Sequence, residues 1–412
     1  ASCIGRGKRG WVVWQLAVPL RGPSPCTELA MLSLSTLETP CLVLDRSRLI
    51  QNADRMTARF RDSGVKLRPH TKTSKSIDVA RIALAGNFGG ITVSTLKEAE
   101  YFADHGVDDI TYAVSVVPEK MPRIAALLKR GVKLGVITDQ IGVAQELSRR
   151  AVAEAVCVDV LIELDSGERR AGLLAGDGSV VTLGRALHDL PGLRLGGVLT
   201  HAGNSYQCRS LADIRQVAEE ERLAAVTAAA QLRAAGLPCP VVSVGSTPTA
   251  THGLSWQGLT EMRCGVYMFG DVFQSEIGSH GLEDIAVSVL ATVIGHRPEM
   301  NCALIDAGAL ALSKDRSTAA PGLPEDIGFG MVMSQDCRRR IGSVRVGHVY
   351  QEHGMLTADG PFPFDALPIG SRVRVLPNHV CMTAAMYDAY RVVISEVISS
   401  HSEGEMAHPL NK

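Results

Sequence analysis

No CxxC pair joins any of the ten cysteines of this 412-residue chain, and neither sign of charge predominates. The cysteines (Cys3, Cys26, Cys41, Cys157, Cys208, Cys239, Cys264, Cys302, Cys337, Cys381) are scattered. In a chain this long that spacing argues against a disulfide framework and for reduced, mostly buried thiols. With 42 Lys and Arg against 43 Asp and Glu, the formal net charge is −1. Neither a nucleic acid nor a membrane surface finds its electrostatic footprint here. Long hydrophobic runs are missing too: Trp11 to Leu20 is too short to span a bilayer and is broken by Pro19. There is no low-complexity tract and no internal repeat beyond a strand–helix period.

What is present is a soluble α/β composition, 46% hydrophobic with 40 glycines for tight turns. The length allows two or three domains. Residues 1–37 differ from the rest: Arg6, Lys8, Arg9 and Arg21 stand against the single acid Glu28 around the apolar run. They read as a leader or disordered extension, with Met31 a candidate start. The expected location is cytoplasmic, or organellar if residues 1–30 form a transit peptide.

From Cys41 onward the periodicity is regular. Cys41–Asp45 is a predicted strand, followed by an amphipathic helix from Arg46 to Arg61 carrying Leu49, Ile50, Met56 and Phe60. Short apolar runs then recur at Val65–Arg68, Gly90–Ser94, Ile110–Val114, Leu134–Thr138, Val158–Asp165, Leu195–Thr200, Val241–Gly245 and Cys264–Phe269. Helical stretches such as Leu96–His105, Lys120–Arg130, Val143–Ala153 and Leu211–Ala235 lie between them. Eight alternating units imply parallel pairing and a (β/α)8 TIM barrel over 38–284, with a doubly wound open sheet as the alternative. After Ile285 short alternating strands take over, at Val287–Ile294, Ala303–Asp306, Ile341–His348, Arg372–Leu376 and Arg391–Val397. They predict a C-terminal β-rich domain over 285–400, which the strand Cys41–Asp45 could join, and a tail over 401–412.

The chemistry centres on Arg68-Pro69-His70-Thr71-Lys72-Thr73-Ser74-Lys75. Pro69 ends a strand, which holds Lys72 just beyond it beside His70. Partial desolvation and the flanking cations Arg68 and Lys75 would favour the neutral amine that builds a Schiff base. The plainer alternative is a basic loop with a solvated lysine. In a barrel the active site lies at the carboxyl ends of the strands, and ionisable or small polar groups follow several runs: Glu163, Asp165 and Arg170; His201 to Tyr206; Gly245-Ser246-Thr247; Gly265 to Tyr267.

Gly245-Ser246-Thr247-Pro248-Thr249 opens a helix with backbone N–H groups and hydroxyls suited to an anion, although a capping turn explains the same residues. Together with Lys72 it suggests pyridoxal phosphate, held as an imine at one end and by its phosphate at the other. Arg170 either forms an exposed ion pair or faces the pyridine nitrogen. In an extended segment His379 and Cys381 would project to one face and could bind a single metal ion; alternatively they are an inert loop histidine and a buried thiol.

Four of these segments resemble the D-threonine aldolase/D-serine dehydratase-like family of fold-type III pyridoxal phosphate enzymes, relatives of alanine racemase. They are Arg68–Thr73, Thr200-His201-Ala202-Gly203-Asn204-Ser205-Tyr206, Ser243–Thr249 and Pro377-Asn378-His379-Val380-Cys381, in the right order over about residues 38 to 400. The resemblance implies Lys72 as the Schiff-base lysine and Arg170 at the pyridine nitrogen. It implies Gly245, Ser246 and Thr247 around the phosphate, with Tyr206, Gly265 and Tyr267 also at the cofactor. His379 and Cys381 would hold a divalent metal, zinc favoured by the soft donors over manganese or magnesium, and His201 would lie near the substrate hydroxyl.

The implied substrate is a small D-3-hydroxy amino acid, and the implied assembly is a homodimer whose partner completes each pocket. Dehydratases of the family resemble this chain in His-x-Cys, whereas bacterial aldolases carry His-x-Asp, which tilts the expectation towards β-elimination. Elimination needs the α-proton removed, by Lys72, and retro-aldol cleavage needs the hydroxyl proton removed, by His201. A racemase using Tyr387 or Tyr390 is a further alternative.

Overall fold

The structure, a computed structural model, describes residues 12–19, 31–32 and 34–394. Its first layer is a parallel sheet of eight strands, running Lys66–Pro69, Ile91–Val93, Asp109–Tyr112, Lys133–Thr138, Val158–Asp165, Leu193–Thr200, Val241–Val244 and Glu261–Cys264. From Ile91–Val93 onward each of these strands pairs with the next in chain order, and the last pairs with the first in register Met262↔Leu67. Between the first two strands a bridge of His70 with Thr92, with Thr71 N–H donating to Thr92 O at 2.9 Å, brings the ring to near closure. The expected TIM barrel is the observed architecture. Strands buried on both faces need continuous apolar runs, and Val158–Asp165 supplies Val158, Val160 and Ile162, each fully buried.

Several of the helices on the outside start where a short polar side chain caps them. Asp45 Oδ1 accepts from the Ser47 and Arg48 amides at 3.0 and 3.2 Å and opens Arg46–Phe60. That helix buries Leu49, Ala53, Met56 and Phe60 at helical spacing, while Ile50 is half-buried instead. Thr95 and Ser210 cap Leu96–Asp104 and Leu211–Ala234 in the same way. No helix among the described residues is long and apolar enough to cross a membrane.

The eighth strand lies earlier than its apolar signal. Cys264–Phe269 is predicted as strand, but the strand is Glu261-Met262-Arg263-Cys264, and Val266–Met268 is a 3-10 turn. Glu261 and Arg263 are buried charges inside the barrel. Glu261 pairs with Arg68 across the first strand (Nη2 to Oε1, 2.8 Å), and Arg263 Nε donates to Ser243 Oγ at 3.0 Å. Polar residues satisfied inside the ring broke the apolar pattern.

The second layer is a mainly antiparallel sheet. Its strands Cys302–Ile305, Gly354–Thr357, Arg340–Val349, Met331–Ser334, Arg372–Leu376 and Val287–Arg297 follow in that order, and a further pairing of the first with the last closes them into a ring. Met331–Ser334 and Gly354–Thr357 were not expected from sequence. Cys41–Asp45 does join this sheet, antiparallel to Val287–Arg297 and parallel to Ala389–Ile394. Val12–Pro19, within the segment read as a leader, pairs antiparallel with Ala389–Ile394, and Met31–Leu32 pairs with it in turn. Apart from residues 34–37, which are described, the rest of that segment and the tail 401–412 lie outside the described residues, as does the end of the strand expected at Arg391–Val397.

Between the layers, Tyr390 Oη donates to Ser74 O at 2.8 Å. The amides of Val272 and Phe273 donate to Pro377 O and Asn378 O at 3.1 and 3.3 Å. Asn378, buried, accepts from Thr318 and donates to Gly328 O at 2.6 Å. The segment bearing His379 is thereby pinned to the carboxyl face of the barrel.

Candidate active site

A cavity of about 670 Å³ opens at the carboxyl ends of the barrel strands, of a size that holds a cofactor and a small substrate. Lys72, Arg170, His201 and Tyr206 line it, as do Gly245, Ser246, Thr247 and Gly265. His379 and Cys381 reach it from the second domain. Ten of the eleven residues marked out in the sequence therefore share one space within a single chain.

Lys72 is exposed to this cavity and not partly desolvated as expected. Its presumed cationic neighbours are both paired elsewhere: Arg68 with Glu261 and Asp109, and Lys75 with Glu98. His70 shapes the loop instead, its Nδ1 receiving the Lys72 N–H at 3.4 Å. Burial holds His70 well below the usual imidazole range, with the Lys72 charge acting in the same direction, so it is neutral and free to accept.

The turn after the seventh strand is partly a cap. Position 245 must be glycine: its φ is 142°, and a Cβ there would lie 2.1 Å from Arg263 O. Its N–H donates to Glu221 Oε1 at 2.7 Å, and the Ser246 N–H donates to Thr249 Oγ1 at 3.1 Å. The Ser246 hydroxyl is engaged by Thr249 and by Ser205. The donors of Gly245 and Ser246 are therefore committed within the protein. Thr247 faces the cavity with the neighbouring turn at Gly265, where a Cβ would lie 2.4 Å from His70 O. Tyr267 departs from expectation: its ring lines a separate cavity of about 120 Å³, its hydroxyl is buried without a partner, and its amide donates to Thr247 Oγ1 at 3.3 Å. Burial pushes that phenol well up.

His201 Nδ1 lies 2.7 Å from Gly245 O, which puts the proton on Nδ1 and leaves the Nε2 lone pair. Burial drives its pKa down to about 3 despite that carbonyl, so the ring is neutral. Tyr206 stands with its ring centre 6.2 Å from that of His201. Burial, helped by the nearby Cys381 sulfur, pushes its phenol up and keeps the proton on. Arg170 lines the cavity, but its side chain is 59% exposed and pairs with Glu168 at 3.2 Å, the exposed ion pair that the sequence left open.

His379 and Cys381 are not on an extended segment. His379 (φ −132°, ψ 101°) is the N-cap of a short helix, Val380–Ala384, and Cys381 is its second residue. The helix start, held by Val380 N–H donating to buried Asp271 Oδ2 at 3.0 Å, still brings imidazole and thiol together. Thr73 Oγ1 lies 3.1 Å from Cys381 Sγ, tying this pair to the residue after Lys72.

Asp315, which the sequence reading passed over inside an ordinary polar loop, lies 3.3 Å from His379 Nδ1. Burial alone would lower the His379 pKa, but Asp315 and the Cys381 sulfur outweigh it and raise it to about 11. A carboxylate on Nδ1 orients Nε2 as a metal ligand does. Among the described residues no group of three or more His, Cys, Asp or Glu is arranged around a metal position. The pair therefore offers two donors, leaving further positions for water and substrate, as catalytic sites do. The residues present fit both a divalent metal and a phosphate-bearing aldehyde.

Neither Tyr387 nor Tyr390 lines the cavity. Tyr390 is engaged by Ser74 O, and Tyr387 Oη is buried.

Residues 44–272 match the family described as alanine racemase, N-terminal domain, and residues 286–393 match the putative serine dehydratase domain. D-threo-3-hydroxyaspartate dehydratase of Delftia sp. (strain HT23) is 46% identical over 88% of this chain and 96% of its own. The chain belongs to this family. Its relatives include D-serine dehydratase of Dictyostelium discoideum, 33% identical over 87% of this chain and 94% of its own. D-threonine aldolase of Arthrobacter sp. is 28% identical over 89% and 91%. The solved Delftia dehydratase superimposes with a TM-score of 0.84 at 45% identity, covering 87% of this chain and 95% of that one. A histidine-to-alanine mutant and a cysteine-to-alanine mutant two positions on, the latter in the metal-free form, give the same score. An alanine racemase of Clostridium difficile, at 15% identity and a TM-score of 0.59, shares the fold. The named relatives are dehydratases and aldolases, and the chain is a lyase of that family.

Proposed function

We propose that this lyase uses pyridoxal phosphate and a divalent metal to act on D-3-hydroxy amino acids by β-elimination, with D-threo-3-hydroxyaspartate or D-serine as substrate. The observation that carries this reading is the 3.1 Å contact of Thr73 Oγ1 with Cys381 Sγ, which sets a soft ligand pair beside the lysine loop in one cavity. The Delftia relative, studied as histidine and cysteine mutants two residues apart, one of them in the metal-free form, supports the same assignment for His379 and Cys381.

Pyridoxal phosphate, held by Lys72, would supply an electron sink that acidifies the Cα proton. The metal, zinc by preference for thiolate and imidazole donors, with manganese or magnesium as alternatives, would supply a Lewis acid for the departing hydroxide.

The chain's own groups do the rest. The Lys72 amine takes the Cα proton. Thr247, the Gly265 turn and the Tyr206 hydroxyl would hold the phosphate, with Gly245 and Ser246 shaping the turn and the Tyr267 amide holding the Thr247 side chain. Arg170, which lines the cavity while paired with Glu168, would stand at the pyridine nitrogen of the bound cofactor. Asp315 keeps the proton on His379 Nδ1. The proposal includes a homodimer, although one chain alone brings His379 and Cys381 to Lys72, so a second copy is not needed for that pairing.

Retro-aldol cleavage is the second reading. It is favoured by the neutral His201, whose Nε2 can take a hydroxyl proton, and by the aldolase relatives. Product analysis with D-serine, D-threonine and D-threo-3-hydroxyaspartate separates the two: 2-oxo acid and ammonia are expected, and glycine plus an aldehyde as the main products would overturn the elimination reading.

A further inference from the structure

We propose that Glu221, a buried carboxylate outside the cavity, is the positioning residue that sets His201 and the phosphate turn as one unit. The inference rests on the roles proposed above, Thr247 at the phosphate and His201 as the hydroxyl base of the second reading.

Glu221 projects from the long helix Leu211–Ala234 and is 1% exposed. A single oxygen, Oε1, accepts the Ala202 N–H at 3.0 Å and the Gly245 N–H at 2.7 Å. These amides belong to the loops that follow the sixth and seventh barrel strands, one next to His201 and the other at the start of the phosphate turn. The Gly245 carbonyl in turn lies 2.7 Å from His201 Nδ1. The peptide that Glu221 holds by its N–H side is therefore flanked by the residue whose carbonyl selects the His201 tautomer. A second tie runs in parallel: Ser205 Oγ donates to Ala202 O at 2.7 Å and meets Ser246 Oγ at 2.8 Å.

If Glu221 moved, the Gly245 carbonyl would turn, and His201 would lose the acceptor that keeps its Nε2 lone pair towards the cavity. Thr247, two residues on, would shift with it. The Ala202 and Gly245 amides would also be left buried and unpaired, which is what makes the arrangement stiff. Burial raises the Glu221 carboxyl to about 7 against the pull of those amides and of Arg263. At neutral pH the un-ionised form is therefore well populated, and it still has a carbonyl oxygen to offer. The essential feature is an oxygen acceptor at that reach; a charge is not required.

Two near-isosteric variants separate reach from charge. Glu221→Gln keeps an oxygen at the same distance, and the Thr249 hydroxyl beside it can accept from the new amide. Glu221→Asp keeps the charge but is one methylene too short to hold both amides. The first readout needs neither cofactor nor substrate: the imidazole nitrogen NMR signals of His201 in metal-free, cofactor-free protein labelled with 15N-histidine. The second is the dissociation constant for pyridoxal phosphate, and the third is the split between kcat and KM.

Glu221→Gln should keep the Nδ1-protonated tautomer and stay within about twofold of wild type in the other two. Glu221→Asp should mix the tautomers, weaken pyridoxal phosphate by about tenfold or more, and lower kcat by a similar factor with KM nearly unchanged. A Glu221→Asp protein with the wild-type tautomer and cofactor affinity would overturn the proposal, as would a Glu221→Gln protein damaged to the same degree. A wild type that binds pyridoxal phosphate but turns over no D-3-hydroxy amino acid would instead refute the lyase substrate reading, leaving the first two readouts to decide on Glu221.

Discussion

Replacing Glu261 by leucine should destabilise the barrel far more than an ordinary ion-pair deletion. Arg68 is buried, with 7% of its side chain exposed, and Glu261 with 8%. Glu261 Oε1 accepts from Arg68 Nε at 3.0 Å and from Nη2 at 2.8 Å, while Nη1 reaches Asp109 at 2.7 Å and Ile91 O at 3.2 Å. Burial would lower the guanidinium pKa, yet the two carboxylates raise it overall, so the charge persists inside the fold.

Leucine at 261 removes two charge-assisted bonds and leaves a buried cation with one half-exposed partner. Breaking a buried pair from one side costs about 3–5 kcal/mol, and the surviving Asp109 contact places the expected loss near the lower end, at about 3 kcal/mol. Urea denaturation followed by circular dichroism measures it. The double variant Arg68→Met/Glu261→Leu should recover most of the loss, since neither charge then remains buried alone. A single-variant loss below about 1 kcal/mol, the value of an exposed pair, would refute the reasoning. The effect bears on function because Arg68 lies four residues before Lys72 on the strand that presents it.

Lys72→Ala should abolish both the visible absorption of lysine-bound cofactor and turnover; a variant that retained a borohydride-reducible cofactor would exclude Lys72. Cys381→Ser should lower kcat by roughly a hundredfold or more, the loss expected when a metal–oxygen interaction of a few kcal/mol goes, and added zinc should not restore it. Asp315→Asn should weaken zinc binding by about 10- to 100-fold, measured by competition with a chromophoric chelator. The pH dependence has a definite sign. The folded imidazole of His379 is raised to about 11 from an ordinary 6.5, so in metal-free protein its stabilising charge is fully present below 6.5 and lost as pH rises towards 11. Metal must displace that proton, so apparent zinc affinity should climb with pH across this window, and Asp315→Asn should shift the climb to lower pH. Identical pH curves for the two proteins would show that Asp315 does not hold the imidazole.

The barrel was legible because its strands are rich in buried apolar residues and so write short apolar runs, with helices between them. It became illegible where buried polar residues replace those runs, at Glu261 and Arg263, whose partners Arg68 and Ser243 lie on other strands. Local sequence carries no trace of such pairings. Met331–Ser334 and Gly354–Thr357, four residues each, were missed, and nothing in their own sequence sets them apart from the strands of the same length that were read. In the site, Lys72, His201 and the His379–Cys381 pair could be read from motifs. The geometry assumed for the pair was wrong, since a helix start and not an extended strand brings the two together. Asp315 and Glu221 were not readable: each acts through a contact set only by the assembled fold, one from a polar loop 64 residues upstream of His379, the other from the buried face of a helix.

The measurement that tests the central claim most directly is the rate of 2-oxo acid release from D-threo-3-hydroxyaspartate and D-serine before and after exhaustive metal removal. Lysine-bound pyridoxal phosphate is monitored in the same samples. With Lys72 and the His379–Cys381 pair serving one cavity through separate groups, the lysine-bound cofactor should survive chelation, while turnover falls by roughly a hundredfold or more and returns on adding zinc. An undiminished rate in protein shown by elemental analysis to hold no metal would contradict the account.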